Sequence, residues 1–335
     1  TLGSATTVDT NATDTTGDIT IAAITGGSNN LTLSTGDNIA NTDITASGAI
    51  SGLGNLTLAD VGGTATFSAN VAAAALSAAN TVANITFTGS TNTFSAASTL
   101  ANDGTLTFGD ATGDSFTFNG GLTTSSVGGT VTLNTSISSS NDAMVFGAIT
   151  LGNNVTIDTN ASSTTGDLTI GAVTGGSNTL TLSTGDNIAN TDISASGAIS
   201  GVTTLTLADV GGTATLSGDV DVTTLTVGNT VANVAFTGDG SSVTNSFTPD
   251  NDGTLTLGTS GGTQTFNGGL NTASTDGTVT LNGSLVTSND ALTVGAVTLG
   301  SNTTLTSAGG AIVTGAIIGT SSEDLTITSS GGGTN

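Results

Sequence analysis

The sequence predicts an all-β protein wound as a parallel β-solenoid. Three observations carry that prediction: a block of about 149 residues that returns nearly verbatim, short segments in which apolar residues alternate with threonine, and small side chains with few helix formers. The repeat comes first. TTGDITI at 15–21 returns as TTGDLTI at 164–170, and the segment 26–52 returns almost unchanged at 175–201. TVANITFTG at 81–89 returns as TVANVAFTG at 230–238. A third copy opens with TLGS at 298–301, matching TLGS at 1–4 and TLGN at 150–153. The copies are therefore expected at 1–149, 150–297 and 298–335, as parts of one continuous solenoid. Near the end EDLTI at 323–327 echoes GDLTI at 166–170, which predicts a stop in mid-repeat. Repeat arrays ordinarily carry atypical capping units. None is evident, so the chain reads as a window on a longer array or as one link in a polymer.

Within each copy the alternation is short: ITI at 19–21, LTL at 31–33 and 56–58, ITF at 85–87, LTF at 106–108, FTF at 116–118 and VTL at 131–133. Period two places the apolar residues on one face and Thr on the other. Gly, Asn, Asp and Ser between the segments supply turn chemistry. Strands of about three to five residues and side chains that stack on themselves favour turns stacked roughly 4.8 Å apart, with aliphatic ladders inside. At roughly 20–25 residues per turn the chain makes about 14–16 turns, a rod about 70 Å long. Tandem β-sandwich modules of about 149 residues are the alternative arrangement.

Composition narrows the function. The 335 residues include 24 Asp and Glu and no Lys, Arg, His, Cys, Trp or Tyr, for a formal charge of −24. No imidazole, thiolate, ammonium or guanidinium is present to move a proton, attack a carbonyl or hold an oxyanion. A surface without Lys or Arg repels nucleic acid. Disorder is disfavoured by 35% hydrophobic residues and a mean hydropathy of +0.24. No apolar run approaches the roughly 18–20 residues that cross a bilayer, so no membrane insertion is expected. Thr1 starts no signal peptide, so any targeting segment was removed or lies outside this chain. Without Lys or Arg there is no trypsin site and no isopeptide crosslink through Lys.

The units GDLTI (166–170), GTLTLG (253–258), GAVTLGSN (295–302) and GGTVTLN (128–134) resemble the β-strand repeats of large bacterial surface proteins, namely filamentous-haemagglutinin-like adhesins and autotransporter passenger domains. The likeness spans nearly the whole chain. It implies a secreted, right-handed parallel β-helix acting in adhesion, biofilm or extracellular matrix. The Asn-Pro motifs of the haemagglutinin secretion domain are missing, since the one proline is Pro249, and so is an autotransporter translocator barrel. The resemblance is therefore to the central repeat shaft.

Three sets of residues are candidate sites. Asp37 and Asp43 recur as Asp186 and Asp192 in STGDNIANTDI, and Asp250 and Asp252 flank Asn251 ahead of Gly253. These carboxylates are candidate Ca²⁺ ligands, the one cofactor in view, or else turn residues making Asx hydrogen bonds. Thr-x-Thr pairs at Thr105 and Thr107, Thr130 and Thr132, Thr254 and Thr256, and Thr278 and Thr280 are candidates for an ice-binding face. Their variable spacing predicts a broken ladder. Asp219 and Asp221 share a strand face, the geometry a carboxylate pair needs for glycoside chemistry, but substrate-orienting bases are absent. The expected function is a non-enzymatic extracellular or cell-surface rod or filament that associates end to end or continues a longer array. A module binding surface glycans or cells is the alternative, and an ice-binding solenoid the second.

Overall fold

The structure is a computed structural model that describes residues 1–36, 39–185 and 188–330. It contains strands and turns and no helix among the described residues. The strands pair in parallel and wind as a β-solenoid of about 15 turns. The chain divides into two compact units, Thr1–Asn160 and Ala161–Asn335. The β-sandwich alternative is thereby excluded, because sandwiches require antiparallel neighbours.

In the first unit one ladder runs through Ile19, Ile44, Ala65, Ile85, Leu106, Val131 and Ile149. Each of these points inward and is buried. The second unit has a matching ladder of Leu168, Ile193, Ala214, Val234, Leu255, Val279 and Val297. The alternation explains the burial: Ile19–Ile21 and Leu106–Phe108 turn their outer two residues inward and Thr outward. Fully burying an aliphatic side chain contributes roughly 1.5–3 kcal/mol, so inward Leu and Ile are what hold each turn on the next.

Turn length varies from 18 residues, Val131 to Ile149, to 26, Ile24 to Ile50. The register survives because the loops absorb the difference. One outward column of the first unit is therefore unbroken: Thr20, Thr45, Thr66, Thr86, Thr107, Thr132 and Thr150 stand on successive turns. The expectation of a broken ladder fails here, since spacing along the chain is not spacing along the stack. In the second unit the column reads Thr169, Ser194, Thr215, Ala235, Thr256, Thr280 and Thr298.

Three other expectations are corrected. Several strands exceed five residues: Ile50–Ala59 and Ile199–Ala208 each have 10. They continue through a bulge, with register shifts at Ile50/Leu53 and Ser200/Val202. Gly52 and Gly201 supply the left-handed backbone there, with φ of 61° and 67°. The core is not purely aliphatic either: all ten Phe residues are buried. Finally, EDLTI does not take the place of GDLTI. Thr6 pairs with Leu31 and its repeat counterpart Thr303 pairs with Leu325. The strand Leu325–Ser329 thus stands where Leu31–Ser34 does, and Ile312–Thr314 fills the earlier place of Ile19–Ile21. That turn is shorter in the third copy, with residues lost from its loop.

Candidate functional site

Asp43 and Asp192 sit at the start of an inward-facing strand, where the chain leaves a loop. The Asp43 backbone N donates to Asp18 Oδ1 at 2.9 Å, and Asp43 Oδ1 accepts from Thr64 N at 2.7 Å. The second unit repeats this: Asp192 N donates to Asp167 Oδ1 at 2.9 Å, and Asp192 Oδ1 accepts from Thr213 N at 2.7 Å. Each carboxylate thus caps a backbone N–H of the following turn. Gly63 and Gly212 are glycine for this reason, as a Cβ on either would lie 2.1 Å from the Asp43 or Asp192 carboxylate. These aspartates are engaged in hydrogen bonding from turn to turn, across 21 residues of sequence, which is neither a local Asx turn nor a metal contact. Asp37 and Asp186 lie outside the described residues.

Ahead of Asp43 two buried threonines are paired. Thr35 Oγ1 and Thr42 Oγ1 are 2.8 Å apart, while Thr42 donates to Ile39 O at 2.7 Å and Thr35 to Asp60 O at 2.9 Å. Thr184 and Thr191 reproduce the arrangement at 2.9 Å, with Ile188 O and Asp209 O as acceptors. Sequence reasoning missed this pair. Their signal was the identity of both threonines in the two copies, hidden by the abundance of Thr.

Asp250 and Asp252 are exposed and flank a fully buried Asn251. Asn251 Nδ2 donates to Thr254 O at 2.9 Å and Gly253 O at 3.1 Å. Asn102 does the same in the first unit, with Thr105 O at 3.0 Å and Gly104 O at 3.1 Å. The residue that matters in both loops is the inward amide, which satisfies turn carbonyls that water cannot reach. Asp250 and Asp252 lie exposed on either side of that inward amide. Among the described residues no three acidic side chains converge as a metal ligand set.

The Thr-x-Thr pairs resolve into two unlike columns. Thr107 and Thr132 belong to the unbroken column, whereas Thr105 and Thr130 stand in a flanking column with Asp18, Asp43, Thr64 and Asn84. This flank consists largely of acceptors for the next turn: Asn84 Oδ1 takes the Thr105 N–H at 2.9 Å, and Asn233 Oδ1 takes the Thr254 N–H at 2.9 Å. Thr256 and Thr280 lie in the outer column of the second unit.

Asp221 opens onto a surface groove of about 290 Å³, whose lining also includes Val202, Thr203, Thr223, Ser242 and Thr244. Asp221 is stacked in register between Ser200 and Ser242 on the adjacent turns. Asp219 is exposed, beside Gly240. No protein-family model matches the chain, and neither a curated protein nor a solved structure matches it.

Proposed function

We propose that this chain is a structural shaft, a non-catalytic segment of an extracellular or cell-surface protein of the kind its repeats resemble. The observation that carries this reading is the unbroken inward ladder of each unit, seven rungs from Ile19 to Ile149 in the first and seven from Leu168 to Val297 in the second. In such a stack the backbone hydrogen bonds run from turn to turn, and every rung is reinforced by buried aliphatic contacts. Load along the stack is shared by many parallel bonds. The shaft continues a longer array or associates end to end, because a parallel stack presents a strand edge that another rung can extend. The test is electron microscopy of the purified 335-residue chain, paired with surface labelling of cells that make it. Elongated particles and external labelling are expected; globular particles of one size or an internal location would overturn the reading.

A second reading is favoured by one observation, the seven-threonine column of the first unit. Evenly stacked methyl and hydroxyl groups are the chemistry of an ice-ordering surface. Thermal hysteresis that disappears on Thr86→Leu and Thr107→Leu would establish it, and its absence in the unaltered chain would dismiss it.

A further inference from the structure

Two near-identical copies of one sequence act as controls for each other, and their differences are not spread evenly. The strands Val61–Phe67 and Val210–Leu216 differ at one of seven positions. The strands that follow, Val71–Ala78 and Val220–Val227, differ at six of eight. The backbone is the same in both, with equal strand lengths, a bulge at the same place and a left-handed glycine at Gly52 or Gly201. In both copies this strand floors a surface groove, of about 250 Å³ in the first unit and about 290 Å³ in the second. The first is lined by Leu53, Ala72, Ala73 and Ala74 with Thr93 and Ser95. In the second the alanines are replaced by Asp221, Val222 and Thr223. The geometry of this strand is kept and its lining is changed, and the segments that follow, 90–101 and 239–250, differ as well, at eleven of twelve positions.

We infer that the groove of the second unit is a binding site for a small hydroxylated amine, of the amino-sugar type. Asp221 is exposed, and among the described residues no donor within the chain hydrogen-bonds its carboxylate. The chain cannot supply a countercharge, as it holds no Lys, Arg or His. A cationic ligand therefore meets no competing base from the chain, and an ammonium on a carboxylate makes a charge-assisted hydrogen bond. Hydroxyl groups surround that point: Ser242 stands on the next turn in register with Asp221, and Thr223 and Thr244 line the same groove. Ser242 Oγ already accepts from Asn267 Nδ2 at 3.3 Å, which leaves its own proton to donate. A ring of hydroxyls around one carboxylate matches a polyol that carries one positive charge. A bare divalent ion is matched poorly, since Ca²⁺ takes six to eight oxygens, roughly, and one carboxylate anchors too few. The first groove, with alanine at the place of Asp221, has no anchor for the ammonium. This site does not depend on the mechanical role proposed above.

The test is a titration of the whole chain with glucosamine, followed by amide chemical shifts, with N-acetylglucosamine as the uncharged arm. Shifts that saturate and centre on 202–203, 221–223 and 242–244 are expected, with about tenfold weaker binding for the acetylated sugar. Asp221→Asn, at an exposed position that leaves the core untouched, should weaken glucosamine binding about tenfold. Grafting Ala72→Asp, Ala73→Val and Ala74→Thr into the first groove should create a second set of shifts at 72–74 and 93–95. Shifts scattered over aspartates all round the surface, unchanged binding in Asp221→Asn, or a folded graft that gains no second set would each overturn the assignment.

Discussion

The two units solve one packing problem with different residues. In the first, Phe118 stacks on Phe94 with ring centroids 4.8 Å apart. In the second, Phe266 stacks on Phe247 at 5.7 Å. Phe266 is the counterpart of Phe118, but Phe247 is not the counterpart of Phe94: Val243 stands there, and Phe247 occupies the place of Ser98. The exchange continues at Phe116, whose place is taken by Gln264. Phe87 has three ring neighbours, Phe67 at 4.9 Å, Phe108 at 6.0 Å and Phe116 at 5.9 Å. Phe236 has two, Phe247 at 6.4 Å and Phe266 at 6.2 Å. The repeat keeps a ring stack in each unit but neither the identity nor the size of each rung: seven of the ten Phe lie in the first unit and three in the second. One backbone frame thus accepts different side-chain sets when neighbouring rungs change together.

The largest effect that can break this comparison is truncation at the equivalent rings. Phe87→Ala should cost about 4 kcal/mol and Phe236→Ala about 3 kcal/mol, because fewer ring contacts are lost in the second. Native-state hydrogen exchange, read within each unit, measures both; an equal or reversed order would show that the third ring neighbour adds nothing. A smaller effect is expected at the glycines that face the capping aspartates. Gly63→Ala and Gly212→Ala should each cost about 2 kcal/mol, since the new methyl displaces Asp43 or Asp192. Gly113→Ala and Gly228→Ala, where a Cβ meets nothing within 4 Å, should stay within about 0.5 kcal/mol. Equal costs at all four would remove the capping role.

The exchange at Gln264 allows a change in the opposite direction. Gln264 is buried and its Oε1 has no partner among the described residues, while its Nε2 donates to Phe236 O at 2.9 Å and Gly238 O at 3.2 Å. Both carbonyls keep another donor, Gly258 N at 2.9 Å and Ser241 Oγ at 3.1 Å. Gln264→Leu removes an unpaired acceptor without orphaning a carbonyl, and should stabilise by about 1 kcal/mol in denaturant titration. The smallest effect is a pH dependence near Glu323. The Ser321 N–H and the Thr320 and Ser321 hydroxyls, all donating to its carboxylate, lower its pKa to about 2 from the ordinary 4.5. A depressed folded value means the anchoring of this turn is complete above about pH 4.5 and fades as pH falls toward 2. Amide shifts of 320–324 should follow that titration and lose it in Glu323→Gln.

The strands and their inward faces were legible because period-two alternation survives in three-residue segments such as ITI and LTL. Parallel stacking was legible from repetition with small side chains. The continuous threonine column was not, because the number of residues between turns says little about register once loops absorb the difference. The placing of EDLTI failed for the same reason: similar letters were matched where only strand pairing could decide. Asp43 and Asp192 stood out in the sequence by their recurrence, yet their partners Thr64 and Thr213 lie a full turn away, beyond the reach of local pattern. Asn102 and Asn251 were passed over in favour of neighbouring acids, since nothing in a run such as DND states which of its members faces inward.

Turns of 18 to 26 residues that keep one register have a genetic consequence. A few codons gained or lost in a loop change only the bulge of that loop, and the neighbouring rungs are spared. Copying errors in a repetitive gene, which shift the alignment of most folded proteins, are contained here within a single winding.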